Sequence, residues 1–311
     1  MVRQAHHERG HGVYGKEGVC MLTEEIRKKI KKIQIHTKRI MQTTITGDYL
    51  SAFKGAGLEF DQIREYMMGD DVRSIDWNSS AKMNKIMVKQ FIQERDRTVI
   101  LAIDLSASGL YSSQYELRRD LMAQVSAVLA YISAENKDKV GALFFTDRIE
   151  KWIPPSRGSV HNGKILETIF TIQPNGRGTD IAQALKFLVT MKKRNAIVFM
   201  LSDWIDDLSL YSKLLKVAAC EYDFIGVRIT DPCEKHFPDV GLIEVQDPES
   251  GKNFIFDTRN QKALNTFLAT RLLEHKRIFD KYKIDLLDLS VGQPFVNSLT
   301  NFFHMRIRRQ I

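Results

Sequence analysis

From residue 98 onward, short apolar segments alternate with longer segments in which apolar residues recur at helical spacing. The apolar segments are TVILAID (98–104), KVGALFFT (139–146), NAIVFML (195–201), YDFIGVRI (222–229) and IDLLDLS (284–290). Continuous apolar runs of this length are typical of strands buried on both faces of a parallel sheet. The intervening segments predict helices over residues 114–135, 160–172, 180–192, 207–219 and 260–282. The alternation predicts an α/β fold with a doubly wound, mostly parallel sheet flanked by helices.

Residues 47–97 do not show this alternation of strands and helices. They are rich in glycine and charge, and short strands are predicted near 58–66 and 86–94. We therefore expect a small β-rich N-terminal subdomain over 47–97, followed by the main domain over 98–311.

Charged side chains are densest between residues 64 and 77, in the segment REYMMGDDVRSIDW. So many charges are incompatible with a buried core. We favour an interpretation in which Arg64 and Arg73 pair with carboxylates and pin this region to the main domain. A surface that binds a partner protein is the alternative.

Residues 21–46 are predicted to form a basic N-terminal helix, because apolar or small residues recur there at helical spacing while Lys and Arg crowd the other faces. This helix either packs on its own domain with a solvated basic face, or docks on a partner or an anionic surface. Residues 1–20 are polar, glycine-rich and without period. We expect them to be disordered, or to precede a true initiator at Met21.

Positive charge is concentrated at the two ends of the chain. Residues 1–46 hold ten Lys or Arg against four Asp or Glu, and residues 301–311 hold three Arg and no acid. A nearly neutral body with basic ends does not suggest a nucleic-acid groove. It suggests terminal elements that could contact an acidic partner or, peripherally, a membrane surface.

Composition also bears on the compartment. No apolar run approaches the roughly 18 residues of a transmembrane helix, and the N-terminus has no stretch of signal-peptide type. Cys20, Cys220 and Cys233 are odd in number and widely spaced, which argues against a disulfide framework or a zinc site. We expect a cytoplasmic protein.

Oxygen-bearing side chains follow the predicted strands at the points where the strands end. Asp104, Ser106 and Ser108 come directly after the first strand, Thr179 precedes a predicted helix in GRGTD, and Asp203 follows the third strand. In open parallel sheets, ligands bind outside the carboxyl ends of the strands. Oxygen ligands without His or Cys select a hard cation, Mg²⁺ or Mn²⁺. The sequence therefore predicts a metal site built from these five residues.

The order D-x-S-x-S, then a distant Thr, then a distant Asp resembles the metal-ion-dependent adhesion site of von Willebrand factor A domains. The resemblance implies that Ser106, Ser108 and Thr179 bind the cation directly or nearly so. It implies that Asp104 and Asp203 act mainly through waters. The remaining coordination position would take a carboxylate from a partner protein.

A narrower resemblance covers most of the chain. The segments GAGLEF (55–60), REY (64–66), GDDVRSIDW (69–77) and ER (94–95) resemble the signature of the domain of unknown function 58 family. Downstream, GRGTD, LSDW and DPCEKHFPDVGLIEVQDPESG resemble it as well. Proteins of this family carry a von Willebrand factor A-like domain. The resemblance implies an adaptor that works with a MoxR-type AAA+ ATPase in the assembly or activation of other proteins.

Three functions are compatible with these features. We favour a non-enzymatic, Mg²⁺-dependent protein-interaction module. The alternative is a metal-dependent hydrolase or phosphatase that uses the same carboxylates. A phosphatase of the haloacid-dehalogenase type would need a second Asp where Ser106 stands, and the chain has no Walker A motif. Nucleic-acid binding would rest on the basic ends alone.

Overall fold

A computed structural model of the chain describes residues 28, 31, 33, 45–53, 59–92, 97–193, 196–235, 240–247, 249, 251–259 and 261–310. The prediction for residues 1–20 and most of the predicted basic helix lie outside these residues. At the described positions of that helix, Lys28 and Lys31 are exposed and Ile33 packs against the main core.

The strands, numbered along the chain, are β1 (Glu59–Glu65), β2 (Met87–Ile92), β3 (Thr98–Asp104), β4 (Lys139–Phe145), β5 (Ile149–Ser156), β6 (Ala196–Ser202), β7 (Asp223–Thr230), β8 (Leu242–Gln246), β9 (Asn253–Asp257) and β10 (Asp285–Ser290). A central six-stranded sheet has the order β10–β7–β6–β3–β4–β5. Its pairings are parallel except that β5 runs antiparallel to β4 at one edge. The chain leaves β3 towards β4 and later returns to the other side of β3 as β6. This reversal places a crevice at the carboxyl ends of β3 and β6.

Side chains of the sheet alternate between two hydrophobic cores. In β3, Val99, Leu101 and Ile103 belong to the core on one face, and Ile100 and Ala102 belong to the core on the other. Every residue of β3 is buried. Burial on both faces is the reason that the strand reads as a continuous apolar run. The predicted α/β fold with a doubly wound, mostly parallel sheet is confirmed.

The described helices lie on both faces of the central sheet and beside the small N-terminal strand pair. They are α1 (Ile45–Ala52), α2 (Trp77–Met83), α3 (Arg118–Glu135), α4 (Ser159–Thr171), α5 (Ile181–Met191), α6 (Leu208–Glu221), α7 (Pro232–Lys235), α8 (Gln261–Lys281) and α9 (Phe295–Gln310). The five helices predicted from apolar spacing correspond to α3, α4, α5, α6 and α8. Among the described residues, no helix is both long and apolar enough to cross a membrane.

Several elements carry no clear sequence pattern. The edge strand β5 contains Pro154 and Pro155, and prolines are tolerated there because an edge strand leaves backbone positions unpaired. Strands β8 and β9 form a separate antiparallel hairpin after β7. This hairpin was not predicted from the sequence.

The small N-terminal region contains the predicted strand pair, β1 and β2, which is antiparallel. Arg64 forms a bidentate ion pair with Asp70, at 2.7 and 2.6 Å. The predicted pairing of Arg64 with a carboxylate is confirmed. Because Asp70 lies in the same segment, this pair closes the segment that follows β1 and does not pin it to the main domain. Arg73 is exposed, and none of its side-chain atoms has an ion-pair partner among the described residues. The alternative, a partner-binding surface, stays a prediction.

The arginines at the C-terminus are largely engaged within the protein. Arg306 is 8% exposed and pairs with Asp223 at 2.7 Å and Asp285 at 3.1 Å. Its guanidinium also stacks on the Phe53 ring, 4.4 Å from the centroid. Arg309 pairs with Asp285 at 2.6 Å. The expectation of a basic C-terminal element free for an acidic partner is therefore corrected for Arg306 and Arg309, because both pair with carboxylates of this chain, while Arg308 is exposed.

Candidate metal site

Asp104 ends β3 at the crevice, with only 2% of its surface exposed. Its Oδ1 accepts a hydrogen bond from the Ser106 backbone N–H at 2.8 Å. Its Oδ2 accepts one from the Ser202 hydroxyl at 2.7 Å, and Ser202 ends β6. These bonds tie the ends of the two strands together around one buried carboxylate. Among the described residues, no basic side chain pairs with Asp104.

Two hydroxyl groups lie beside this carboxylate. Ser106 is buried and Ser108 is half-buried, and their Oγ atoms are 3.0 Å apart. Neighbouring ligands of an octahedral Mg²⁺, each about 2.1 Å from the ion, are also separated by about 3.0 Å. The pair thus has the spacing of two adjacent ligands of one small cation.

The GRGTD loop borders the same crevice. The Ala107 backbone N–H donates to the Arg177 carbonyl at 2.9 Å, which joins this loop to the serine-bearing segment. Thr179 donates its hydroxyl hydrogen to Oε1 of Glu249 at 2.8 Å. Asp180 caps α5 by accepting from the Gln183 N–H at 2.8 Å. Thr179 therefore lies where predicted, directly before a helix.

Gly176 is required by the packing of this loop. A Cβ at this position would lie 1.9 Å from Oδ1 of Asp147 and 2.3 Å from Oγ1 of Thr146. The backbone N–H of Gly176 donates to Oε1 of Glu150 at 2.8 Å. The glycine allows the loop to approach the β4–β5 turn closely, and this approach fixes the height of Thr179 above the sheet.

Asp203 follows β6 and is 6% exposed. Its Oδ2 accepts from Nη1 of Arg118 at 3.1 Å, and its Oδ1 accepts from the Ile205 N–H at 3.2 Å. The guanidinium of Arg118 also pairs with Glu234. Asp203 is thus already held by a cation and a backbone donor, as expected of a carboxylate that acts through water and not as a direct metal ligand.

The residue after Asp203 has a strained backbone. Trp204 has a φ of +58°, which is rare for a bulky side chain. The indole is 1% exposed, donates from Nε1 to the Val227 carbonyl at 3.3 Å, and packs edge-on against Phe279. These contacts stabilise the left-handed turn that directs the Asp203 side chain into the crevice.

Negative charge accumulates at the site. Burial, and next the charge of Asp203, raises the pKa of the Asp104 carboxyl. Burial also raises the pKa of the Glu249 carboxyl, and Asp203 adds to this effect while the Thr179 hydrogen bond opposes it. A bound divalent cation would lower both pKa values, because its positive charge stabilises the ionised carboxylates.

The residues present fit Mg²⁺ or Mn²⁺. The donors are hydroxyls and carboxylates, and among the described residues no group of three or more His, Cys, Asp or Glu side chains is arranged to hold a metal. A site of this kind therefore has to rely on hydroxyl ligands. The structure joins Asp104, Ser106 and Ser108 directly. Asp203 is near enough to Asp104 to shift its pKa. Thr179 belongs to the loop that the Ala107–Arg177 backbone hydrogen bond joins to the serine-bearing segment, and it donates to Glu249.

Four functional neighbours were not identified from the sequence: Ser202, Arg118, Glu234 and Glu249. Ser202 stands beside Asp203 in the LSDW motif, so its place at a strand end was available as a signal. Arg118 and Glu249 reach the crevice from a helix start and a hairpin turn. Neither residue stands in a sequence motif or at a regular spacing that would have predicted its place beside the D-x-S-x-S segment.

The comparisons with known proteins agree with this architecture. The family described as "Protein of unknown function DUF58" matches residues 62–277. The uncharacterized protein Rv1480 of Mycobacterium tuberculosis is 28% identical over 283 residues, which cover 90% of this chain and 89% of that protein.

Solved structures with a similar course of the backbone include BatB from Bacteroides thetaiotaomicron and the VWA domain of SpRpn10. BatB is 14% identical, with a TM-score of 0.45, over 68% of this chain and 98% of its own. The SpRpn10 domain is 12% identical, with a TM-score of 0.39, over 66% of this chain and 94% of its own. Likenesses this distant say nothing about function.

Proposed function

This chain belongs to the DUF58 family, and we propose that it is a non-enzymatic protein-interaction module whose binding depends on Mg²⁺ or Mn²⁺. The cation would be held at the crevice by Ser106, Ser108 and Thr179, with Asp104 and Asp203 contributing through waters. When bound, the ion supplies a positive charge and a coordination position for an anionic group from another protein.

The observation that carries this proposal is the hydroxyl pair beside a buried carboxylate. The Ser106 and Ser108 oxygens are 3.0 Å apart, and Asp104 is 2% exposed without a basic partner among the described residues. Burying an unpaired carboxylate is costly. The hydrogen bonds from Ser106 and Ser202 offset part of this cost, and a bound cation would compensate the remaining charge.

Interaction is favoured over hydrolysis because of the position of Asp104. A nucleophilic or acid–base carboxylate has to reach the substrate. Both oxygens of Asp104 are instead occupied by the Ser106 N–H and the Ser202 hydroxyl. The position where a phosphatase of the haloacid-dehalogenase type would have its second Asp is Ser106, which lies 3.0 Å from another hydroxyl.

For the partner we propose a MoxR-type AAA+ ATPase, together with a client protein that the two act on. This part of the proposal rests on the family resemblance of the sequence motifs. The free thiols of Cys220 and Cys233 fit the reducing cytoplasm, where we propose that the assembly operates.

The metal site is tested by titration calorimetry with Mg²⁺ and Mn²⁺. Ser106→Ala with Ser108→Ala removes two expected ligands without adding bulk, so affinity should fall by about ten-fold or more, the effect typical even of residues that only orient ligands. Ser209→Ala, at the exposed start of α6, is the matched control and should bind like the wild type. Equal affinity in all three proteins would exclude this site.

Partner binding is tested by co-purification of the ATPase with Mg²⁺ and with EDTA. Thr179→Ala should weaken capture by roughly 30-fold or more, because loss of a buried charge-assisted contact costs about 2–5 kcal/mol. Thr190→Ala, whose hydroxyl bonds only within α5 to Phe187, is the control. Equal recovery of the ATPase in every sample would mean that the metal site is not the docking point.

A further inference from the structure

A carboxylate of this chain already lies against one of the expected metal ligands. Thr179 donates to Oε1 of Glu249 at 2.8 Å. The other oxygen, Oε2, lies 3.6 Å from where a Cβ on Gly178 would be, so the carboxylate lies over the GRGTD loop. Among the described residues, no basic side chain pairs with Glu249. Its charge is therefore without a counter-ion in a half-buried position.

Glu249 is carried by the turn of the β8–β9 hairpin. The turn is held by the Gly251 N–H, which donates to the Asp247 carbonyl at 2.8 Å, and by the Glu249 N–H, which donates to Oδ1 of Asp247 at 3.1 Å. These local bonds fix the direction in which the Glu249 side chain leaves the turn. The turn therefore presents one carboxylate to the crevice.

Hydrogen bonds between its two ends close the hairpin at its base. There, buried Thr258 accepts from the Val240 N–H at 3.0 Å and donates to the Gly241 carbonyl at 2.7 Å. Further along the strands, Leu242 is 64% exposed and Ile255 is 80% exposed. A two-stranded arm with exposed apolar side chains gains little from packing. Its contact through Glu249 can be broken at low cost.

We infer that Glu249 is an intramolecular ligand of the cation site, occupying the position that a partner's carboxylate takes after the hairpin has moved away. This inference rests on the proposed function of the same site. A tethered carboxylate acts at a high effective concentration. It therefore strengthens cation binding in the free protein and lowers the apparent affinity for the partner by competition.

The first test compares Mn²⁺ binding by the full chain and by Glu249→Gln and Glu244→Gln. Glutamine keeps an oxygen that accepts from Thr179 but removes the charge, so the fold is preserved. We expect Glu249→Gln to bind Mn²⁺ roughly 10- to 100-fold more weakly, the range of a charge-assisted contact. Glu244 is exposed on β8, and its replacement should change nothing.

The second test asks whether the vacated position accepts a carboxylate from solution, with acetate as the probe. Bound Mn²⁺ accelerates the proton relaxation of any acetate that reaches it. At equal occupancy by Mn²⁺, acetate relaxation should be several-fold faster with Glu249→Gln than with the wild type or Glu244→Gln. Hydrogen exchange over residues 240–258 should be slower in Mn²⁺ than in EDTA for the wild type, and equal in both for Glu249→Gln.

The outcomes separate the two proposals. If the wild type binds Mn²⁺ through Ser106 and Ser108, but Glu249→Gln leaves affinity, acetate relaxation and exchange unchanged, the intramolecular ligand is wrong while the metal site stands. If the wild type binds no Mn²⁺, or binds it equally without the two serines, the proposed function fails and this inference fails with it.

Discussion

Replacing Asp104 with asparagine tests the electrostatics of the site. Asparagine has nearly the same shape and keeps an oxygen for the Ser106 N–H. The Ser202 hydroxyl can accept from the new amide, because a hydroxyl both donates and accepts. The variant therefore removes the buried charge and little else. We expect Asp104→Asn to be more stable than the wild type when no metal is present.

The expected size follows from the pKa of Asp104. Burial first, and then Asp203, raises this pKa to about 7, against about 3.9 in an unfolded chain. Between these values the folded protein holds a proton that the unfolded chain has lost, so wild-type stability falls as pH rises. Three pKa units correspond to about 4 kcal/mol. Part of these 4 kcal/mol comes from the repulsion between Asp104 and Asp203, and that part belongs to the pair and not to Asp104 alone.

The assay is urea unfolding in EDTA at pH 5, 6, 7 and 8. The advantage of Asp104→Asn should grow by about 2–3 kcal/mol from pH 5 to pH 8. Mg²⁺ at about one hundred times its dissociation constant should then add about 2.7 kcal/mol to the wild type and nothing to the variant.

Asp207→Asn provides the control. Asp207 caps α6 from an exposed position, and the hydrogen bond from the Ser209 backbone N–H lowers its pKa. It is ionised in both states above pH 5, so its difference from the wild type should not change with pH. A difference for Asp104→Asn that is equally flat, or a loss of stability at pH 8 in EDTA, would refute the reasoning.

Other predictions concern packing and charge, and unfolding free energies check each of them. Gly176→Ala should lower the unfolding free energy by about 1–3 kcal/mol because its Cβ overlaps the β4–β5 turn. Gly163→Ala is the matched control: open space surrounds this position in α4, so the unfolding free energy should rise by up to about 1 kcal/mol. Arg306→Met should lower the unfolding free energy by about 1–3 kcal/mol because Asp223 loses its partner and Asp285 keeps only Arg309. The exposed Arg308→Met should stay within about 0.5 kcal/mol of the wild type. Burial lowers the pKa of His275 to about 4, so the contribution of His275 to the unfolding free energy should fall by about 3 kcal/mol as pH drops from 6.5 to 4, opposite in sign to that of Asp104. His275→Gln should remove this contribution. Unchanged pH dependence in His275→Gln, or equal stability in either matched pair, would contradict the corresponding explanation.

Sequence patterns predicted the strands of the parallel sheet because those strands are buried on both faces. Burial forces nearly every side chain to be apolar, as in TVILAID. The hairpin β8–β9 and the edge strand β5 are exposed on at least one side. Because exposed positions accept polar as well as apolar residues, neither element was predicted from the sequence.

Ion pairs were predicted less well than strands. Arg64 was predicted to pair with a carboxylate and so to pin its region to the main domain, and it pairs with Asp70, six residues away in the same region. The C-terminal arginines were expected to face a partner, and Arg306 is buried against Phe53. A charged side chain is long and can find a carboxylate in many directions, so its partner depends on tertiary packing.

What the sequence by itself determined is the fold and the residues that follow strand ends, because strand order in a parallel sheet brings the ends of β3 and β6 to one crevice. Only the tertiary structure decided which other side chains contact those residues. Ser202 ties the two strand ends together, Arg118 neutralises Asp203, and Glu249 reaches Thr179 from a hairpin 70 residues away in the chain. Such contacts join distant segments through single side chains, and a single side chain leaves no period in the sequence.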